Sequence, residues 1–370
     1  MDGKPEQTTV QEKEPAFSRG TNALAVRPSF DPSHRVICVT GAYSFLGREV
    51  LQRLEDDPRY LKVIAIDIRQ PDLSSRKAQF FKVDLTLPQA DTEIAHILRQ
   101  EGADTLVHLA FLSKPTHNSS WAHELEAIGT LQLLNACAAS QVRKVVMWSL
   151  TALYGPSPLN PNYCIETRKL GGVPGSRFFS DKLEAEKLAD RFRKENPTSV
   201  VTILRTAPIL GRRINNYVSQ FLMHPVVPIL LGYDPLVQFL HENDAVEAFK
   251  LSIDADFNDD YNVAGDGVLP LSTVLALAGK ISLPVPHLLA YPLAKLLWMA
   301  QALDAAPVFL DFLRYMCVAD TEKIRHEMGF IPRYTIQHIV TEFAGFAPSH
   351  LGSNALPEAS RSLSRGELHV

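Results

Sequence analysis

Cysteine is scarce in this chain, and none of it is grouped. Cys38, Cys137, Cys164 and Cys317 lie far apart. No C-x-x-C pair and no H-E-x-x-H motif occurs, so no zinc site is expected and no metal is assigned. Cys38 and Cys137 sit inside apolar runs and read as small core residues. This usage fits a reducing compartment, and a cytoplasmic location is expected. An excess of basic charge is also missing. Lys and Arg number 37 against 41 Asp and Glu, a formal charge of -4. Nothing here resembles the basic footprint of a nucleic-acid binder. Long apolar runs are absent too. The most apolar stretch, "ISLPVPHLLAYPLAKLLWMAQAL" (281–303), is interrupted by three prolines, a histidine and Lys295. A membrane-spanning helix needs about 20 mainly apolar residues in one run. A buried or amphipathic helix is expected instead, with contact to a membrane surface left open. The opening "MDGKPEQTTVQEKEPAFSRG" has no apolar segment of the kind a signal peptide carries. Residues 1–34 and 347–370 both read as disordered arms.

What remains is an ordinary globular composition, 46% hydrophobic and 21% charged, enough for a large core. Short apolar runs alternate with longer amphipathic ones. "RVICVT" precedes "GREVLQRLEDD", "KVIAIDI" follows, "AQFFKVDL" precedes "DTEIAHILRQEG", and "TLVHLAF" precedes "LEAIGTLQLLNACAAS". "KVVMWS" and "SVVTILRT" continue the series. The runs are rich in Val, Ile and Leu without alternation, as expected of strands buried on both faces. The fold class is therefore α/β, a doubly wound parallel sheet with helices on both sides. After "LRTAPILGRR" the pattern loosens into proline-bearing apolar segments, which predicts a smaller C-terminal substrate region.

The first strand runs into "VTGAYSFLGREVLQRL". Gly41 and Gly47 there suit a tight turn that lets backbone approach a pyrophosphate at a helix N-terminus. Asp67 ends the second strand, where a carboxylate can hold ribose hydroxyls and repel a 2′-phosphate. NAD is thus expected over NADP, with Arg69 two residues on tempering that preference. Asp84 ends "FFKVD" and could face an adenine.

The chain resembles the extended short-chain dehydrogenases/reductases of the NAD-dependent epimerase/dehydratase type. The pieces that carry the resemblance include "VTGAYSFLG", "IAID", "VDL", "LVHLAF", "LYG", "SDKLEAEKL", "ILRTAPILG", "FLHENDAVEAF", "YNVAGDG" and "EKIRHEMGFIP", in order from Arg35 to Phe346. The resemblance implies a Rossmann-type domain over 35–212, with a returning segment near 239–255. It implies a substrate region over 213–238 and 256–346, a small-molecule substrate, and often a homodimer. It places the dinucleotide against Gly41, Ser44, Phe45, Leu46 and Gly47, then Asp67, Asp84 and Leu85. Leu109, Ala110, Phe111 and Lys182 complete that set.

Several positions depart from the family pattern. Ser44 replaces the middle glycine of T-G-x-x-G-x-x-G, and Glu126 replaces the asparagine of N-x-x-G-T. In "MWSLTALYG", Leu150 holds the commonest place of the family's active serine or threonine, flanked by Ser149 and Thr151. In "RFFSDK", Phe178 holds the place of the acid–base tyrosine, while Lys182 is kept four residues on, on the same helix face. In the family the tyrosine exchanges the substrate proton, and the lysine lowers its pKa and holds the nicotinamide ribose. A phenyl ring has no proton to give. Thr151, Ser149 and Lys182 are the remaining candidates for that work. Val237 and Pro208 replace an arginine and an asparagine of sugar-nucleotide members, which argues against a UDP-sugar. Arg212, Arg213 and Asn216 could supply other polar contacts. Leu289, Leu297, Trp298, Phe309, Phe312 and Tyr315 are expected to line the second region and would suit a bulky apolar substrate. Two functions follow: an epimerase/dehydratase-like oxidoreductase with an atypical active site, or a non-catalytic cofactor-binding or regulatory protein on the same fold.

Overall fold

The computed structural model describes residues 35–70, 77–303 and 306–346. The two expected arms lie outside the described residues. The main sheet has seven strands, numbered along the chain: β1 (Arg35–Thr40), β2 (Tyr60–Asp67), β3 (Ala78–Lys82), β4 (Thr105–His108), β5 (Lys144–Leu150), β6 (Val200–Thr206) and β7 (Asp260–Val263). Their order is β7-β6-β5-β4-β1-β2-β3, and every neighbouring pair is parallel. The doubly wound α/β sheet is as the apolar runs imply. All six residues of β1 are buried, as the lack of alternation in "RVICVT" requires.

Helices α1 (Phe45–Glu55), α2 (Ala90–Glu101), α3 (Ser119–His123), α4 (Gly129–Ser140) and α5 (Arg177–Glu195) fill the connections between strands. One packed layer lies under Leu46, Val50 and Phe249, the other under Ile94, Leu133 and Phe192. The chain reverses its winding between β1 and β4. Ligands of such sheets bind at this switch point, outside the carboxyl ends of the strands.

Strand β7 comes from a stretch assigned above to the substrate region. "DYNV" is a weak strand signal because Asp260 and Asn262 are polar. Both are held by tertiary bonds: Asp260 accepts from Arg193 and Arg205, and Asn262 Nδ2 donates to the Cys164 carbonyl at 3.0 Å. The C-terminal part builds a third packed cluster around Leu222, Phe239, Val274 and Ile339. It uses α6 (Tyr217–Met223) and the short strand pairs Val226–Leu230 with Ile281–Val285 and Leu236–Val237 with Leu269–Pro270.

No helix among the described residues is long and apolar enough to cross a membrane. The 281–303 stretch forms a strand and a helix, Ile281–Val285 and His287–Met299. That helix is not buried as a core element. Leu289 was expected to line the substrate region, but it faces outward, 64% exposed.

Candidate active site

The loop after β1 is held by contacts that only glycine permits. Gly41 has φ +72°, and a Cβ there would lie 2.6 Å from the Leu109 carbonyl. A Cβ on Gly47 would lie 2.2 Å from the Gly41 oxygen. Ser44 caps α1: its Oγ accepts from Gly47 N at 3.0 Å. The hydroxyl is thus turned to the helix's own amide. The helical ladder begins with Arg48 N to Ser44 O, so the amides of Phe45 and Leu46 precede it. Such first-turn amides are donors suited to an anion.

Asp67 ends β2 beside this loop. Its two carboxylate oxygens accept from Tyr43 N at 2.9 Å and Arg69 N at 3.2 Å. Burial pushes its pKa up, against those amides. The Arg48 and Arg69 guanidiniums both lie over the Tyr43 ring, at 5.7 and 5.9 Å from its centroid. Asp84 folds back on Thr86, accepting from its N and Oγ1 at 2.9 and 2.8 Å. Leu85 is buried with Ala110 and Phe111 half-buried on one packed layer, and Leu109 is buried in the other. The donor set therefore fits a dinucleotide: first-turn amides for the diphosphate and a strand-end carboxylate for a ribose.

The proton-transfer end is rearranged more deeply. Helix α5 carries Phe178 and Lys182 one turn apart, and both are buried. The Lys182 ammonium lies 3.7 Å from the Phe178 ring centroid and 5.9 Å from that of Phe111. Its ion-pair partner is Glu126, with Nζ donating to Oε1 at 2.5 Å. The same Oε1 accepts from Leu112 N at 2.7 Å. The other oxygen, Glu126 Oε2, is buried without a hydrogen-bond partner among the described residues. Glu126 sits in a single π-helical turn, Glu124–Ile128, wedged between α3 and α4. Such turns recur at functional sites. Burial pushes the Glu126 pKa up and the Lys182 pKa down, and each charge opposes the shift of the other. The sequence marks this site only as two separate departures, Asn to Glu at 126 and Tyr to Phe at 178, around a kept Lys182.

Ser149 is drawn elsewhere. Its hydroxyl donates to Glu186, which in turn accepts from Arg205 at 2.8 Å. Arg205 also donates to Asp260 at 2.6 Å and to Tyr154 Oη at 3.3 Å. Ser149 thus belongs to a buried ion network joining α5, β6 and β7. Thr151 follows β5 and lines a cavity of about 120 Å³. Leu150 is buried beside Phe178 in an apolar cluster.

That cavity is enclosed mainly by apolar side chains. Val237 and Pro208 line it together with Phe221, Leu222 and Leu313. Tyr217, Gln238 and Cys317 supply polar atoms beside Thr151. Phe312 and Tyr315 are also in the wall. Phe309 packs against both Phe178 and Tyr217, with centroids 6.2 and 5.5 Å away. A second cavity, about 240 Å³, is lined by Glu126, Phe178, His117 and Trp298. The last two rings stack at 4.0 Å. Leu297 is half-buried.

The candidate phosphate ligands are committed to other partners. Arg212 pairs with Glu342 and Arg213 with Glu49, each at 2.8 Å. Asn216 forms a capping box at the start of α6. On α3 and α5, His123, Asp181 and Glu184 bring their ligand atoms within 4.8 Å of one another. His123 Nδ1 and Asp181 Oδ1 are already hydrogen-bonded at 2.8 Å.

A family model described as "NAD dependent epimerase/dehydratase family" matches residues 37–264. An uncharacterized protein of Mycobacterium tuberculosis is 34% identical over 308 residues, 81% of each chain. Among solved structures, the UDP-glucose 4-epimerase of Thermotoga maritima, with UDP-glucose, superposes with a TM-score of 0.66 at 18% identity. It covers 85% of this chain and 99% of that one. A dTDP-glucose 4,6-dehydratase of Bacillus anthracis, in complex with NAD, gives 0.64 at 18% identity over 85% and 97%. At such identity these two likenesses speak for the fold.

Proposed function

The chain belongs to the NAD-dependent epimerase/dehydratase family, and from that premise we propose that it binds NAD(H) and exchanges a hydride with an apolar alcohol or ketone. The dinucleotide would lie across the carboxyl ends of β1, β2 and β4. The amides of Phe45 and Leu46 and the Asp67 carboxylate would hold its diphosphate and adenosine ribose. Lys182 would stand at the nicotinamide end, its charge retained by Glu126. When bound, the nicotinamide supplies the hydride acceptor or donor. Several solved relatives of this fold are described as complexes with NAD.

One observation carries the substrate class. Val237 and Pro208 form wall of the same cavity as Phe221 and Leu313, next to Thr151. A diphosphate placed there would lose its water without meeting a guanidinium, at a cost that burial of charge makes prohibitive. An apolar body suits that wall, and the few hydroxyl and thiol groups can orient one oxygen. Ser149 is left with a structural role in the Glu186–Arg205 network.

The test is a panel of apolar secondary alcohols and ketones with NAD(H), read as NADH formation or consumption. Saturable turnover is expected. A UDP-, GDP- or dTDP-sugar that is turned over in their place would refute the substrate class. NAD bound without turnover of any member would favour the non-catalytic alternative.

A further inference from the structure

The Glu126 carboxyl stands beside the place the phenol has left. It is 0% exposed, and it lines the same 240 Å³ cavity as Phe178. One of its oxygens is committed: Oε1 takes both Lys182 Nζ and Leu112 N. The other, Oε2, has no donor among the described residues although it is buried. A buried carboxylate oxygen with no donor is costly. That cost is removed if a ligand brings a hydroxyl to it.

We infer that Glu126 is the proton-transfer group of this site, receiving the substrate hydroxyl proton on Oε2 in place of the missing tyrosine. The inference rests on the nicotinamide-dependent reading above and deepens it. In the oxidative direction the substrate O–H bond breaks and its proton passes to Oε2. The neighbouring C–H bond breaks, and its hydride passes to the nicotinamide. A carbonyl forms, so the alcohol is oxidised and the nicotinamide reduced. The reverse direction returns the proton from the carboxyl group.

The surrounding groups support this use. Lys182 on α5 keeps the carboxylate available as a base, while its ammonium is screened from water by the Phe178 ring. Asp181, next in the helix, raises the carboxyl's proton affinity, as burial does. Asp181 is itself held by His123 from α3 at 2.8 Å and lies 3.7 Å from Arg177. His117 faces the same cavity. The reacting hydroxyl must enter this 240 Å³ cavity, which meets the Thr151 cavity at the Phe178–Tyr217 contact; a carboxyl whose proton affinity burial raises would there do the work of general acid–base catalysis. Phenylalanine at 178 then has a purpose: it dries the pair without competing for the proton.

The experiment uses the full chain and the variants Glu126→Gln and Glu126→Asp. Calorimetric titration reads NAD+ affinity, and turnover on the alcohol panel is followed against pH. Wild-type oxidation should fall at acid pH as the carboxylate takes up a proton, and the residual turnover of Glu126→Gln should not follow that limb. On the alcohol panel, Glu126→Gln should lose about 10²–10⁴-fold in turnover. Its NAD affinity should stay within about threefold, well under the tenfold that 1.4 kcal/mol represents. Glu126→Asp keeps the charge that Lys182 needs, so it guards against a variant that simply fails to fold. It should keep the acid limb and lose turnover, because its oxygen is withdrawn by one methylene. The same acid limb in wild type and Glu126→Gln overturns the inference, as does wild-type turnover in both variants. Absence of NAD+ binding by wild type overturns the nicotinamide reading itself.

Discussion

Lys182 and Glu126 form a buried pair, 4% and 0% exposed, and its removal one partner at a time should be severe. Lys182→Met leaves a carboxylate with no countercharge in the core. Glu126→Gln leaves an ammonium against the Phe178 and Phe111 rings with its paired carboxylate gone and the Asp181 charge as its remaining counterweight. Breaking such a pair costs about 3–5 kcal/mol, because the stranded charge keeps its desolvation penalty. Independent sites would sum to about 6–10 kcal/mol, comparable to the whole stability of a domain. The double variant strands no charge and should lose only about 2 kcal/mol or less. The coupling between the two positions should therefore be several kcal/mol. Equilibrium urea unfolding of the four proteins measures it, and Trp148, close to Phe111 at 6.4 Å, gives a fluorescence signal from this region. Single losses under about 1 kcal/mol, or a double loss equal to the sum of the singles, would refute the buried charged pair.

Acid sensitivity should arise at His108, whose burial lowers its pKa to about 3. The imidazole is hydrogen-bonded to Thr40 and Thr130 at 2.8 and 3.0 Å. Below about pH 6.5 the unfolded chain takes up a proton that the folded chain refuses. The stabilisation is complete above that pH and falls by about 2 kcal/mol at pH 5. His108→Asn should flatten this slope relative to wild type, and an unchanged difference between pH 7 and pH 5 would contradict it. Gly47→Ala should abolish NAD binding or folding, because its methyl meets the Gly41 oxygen. Unchanged NAD affinity in a folded Gly47→Ala protein would contradict the loop's role. NAD(H) should bind more tightly than NADP(H), on the order of tenfold, with the preference lost in Asp67→Ala. Tighter NADP(H) binding would transfer the role to Arg48 and Arg69. A thermal-shift panel of UDP-, GDP- and dTDP-sugars with NAD should show no saturable shift, and a clear one would reopen the search for a phosphate ligand.

The sheet was legible because its strands are buried on both faces, so uninterrupted runs such as "RVICVT" and "KVIAIDI" announce them. The tight turn at Gly41 and Gly47 and the strand-end place of Asp67 were legible because both are set by local sequence. Strand β7 was not, since the polar Asp260 and the buried Asn262 are held by partners from distant segments. The orientation of Ser149 was hidden for the same reason: Glu186 on α5 and Arg205 on β6 decide it. Glu126 and Lys182 are 56 residues apart, and no spacing rule joins them. Both departures, Glu126 and Phe178, were visible, but only packing shows that they lie against the same lysine. The outward Leu289 illustrates the opposite failure, an apolar residue expected in a wall and found on the surface.

The most direct test is titration of the full chain with NADH, followed by nicotinamide fluorescence, with an apolar secondary alcohol and NAD+ then supplied to the same protein. Saturable NADH binding and alcohol-dependent NADH formation that Glu126→Gln removes are the expected results. No saturable binding of NADH, or alcohol oxidation untouched by Glu126→Gln, would contradict the proposed site.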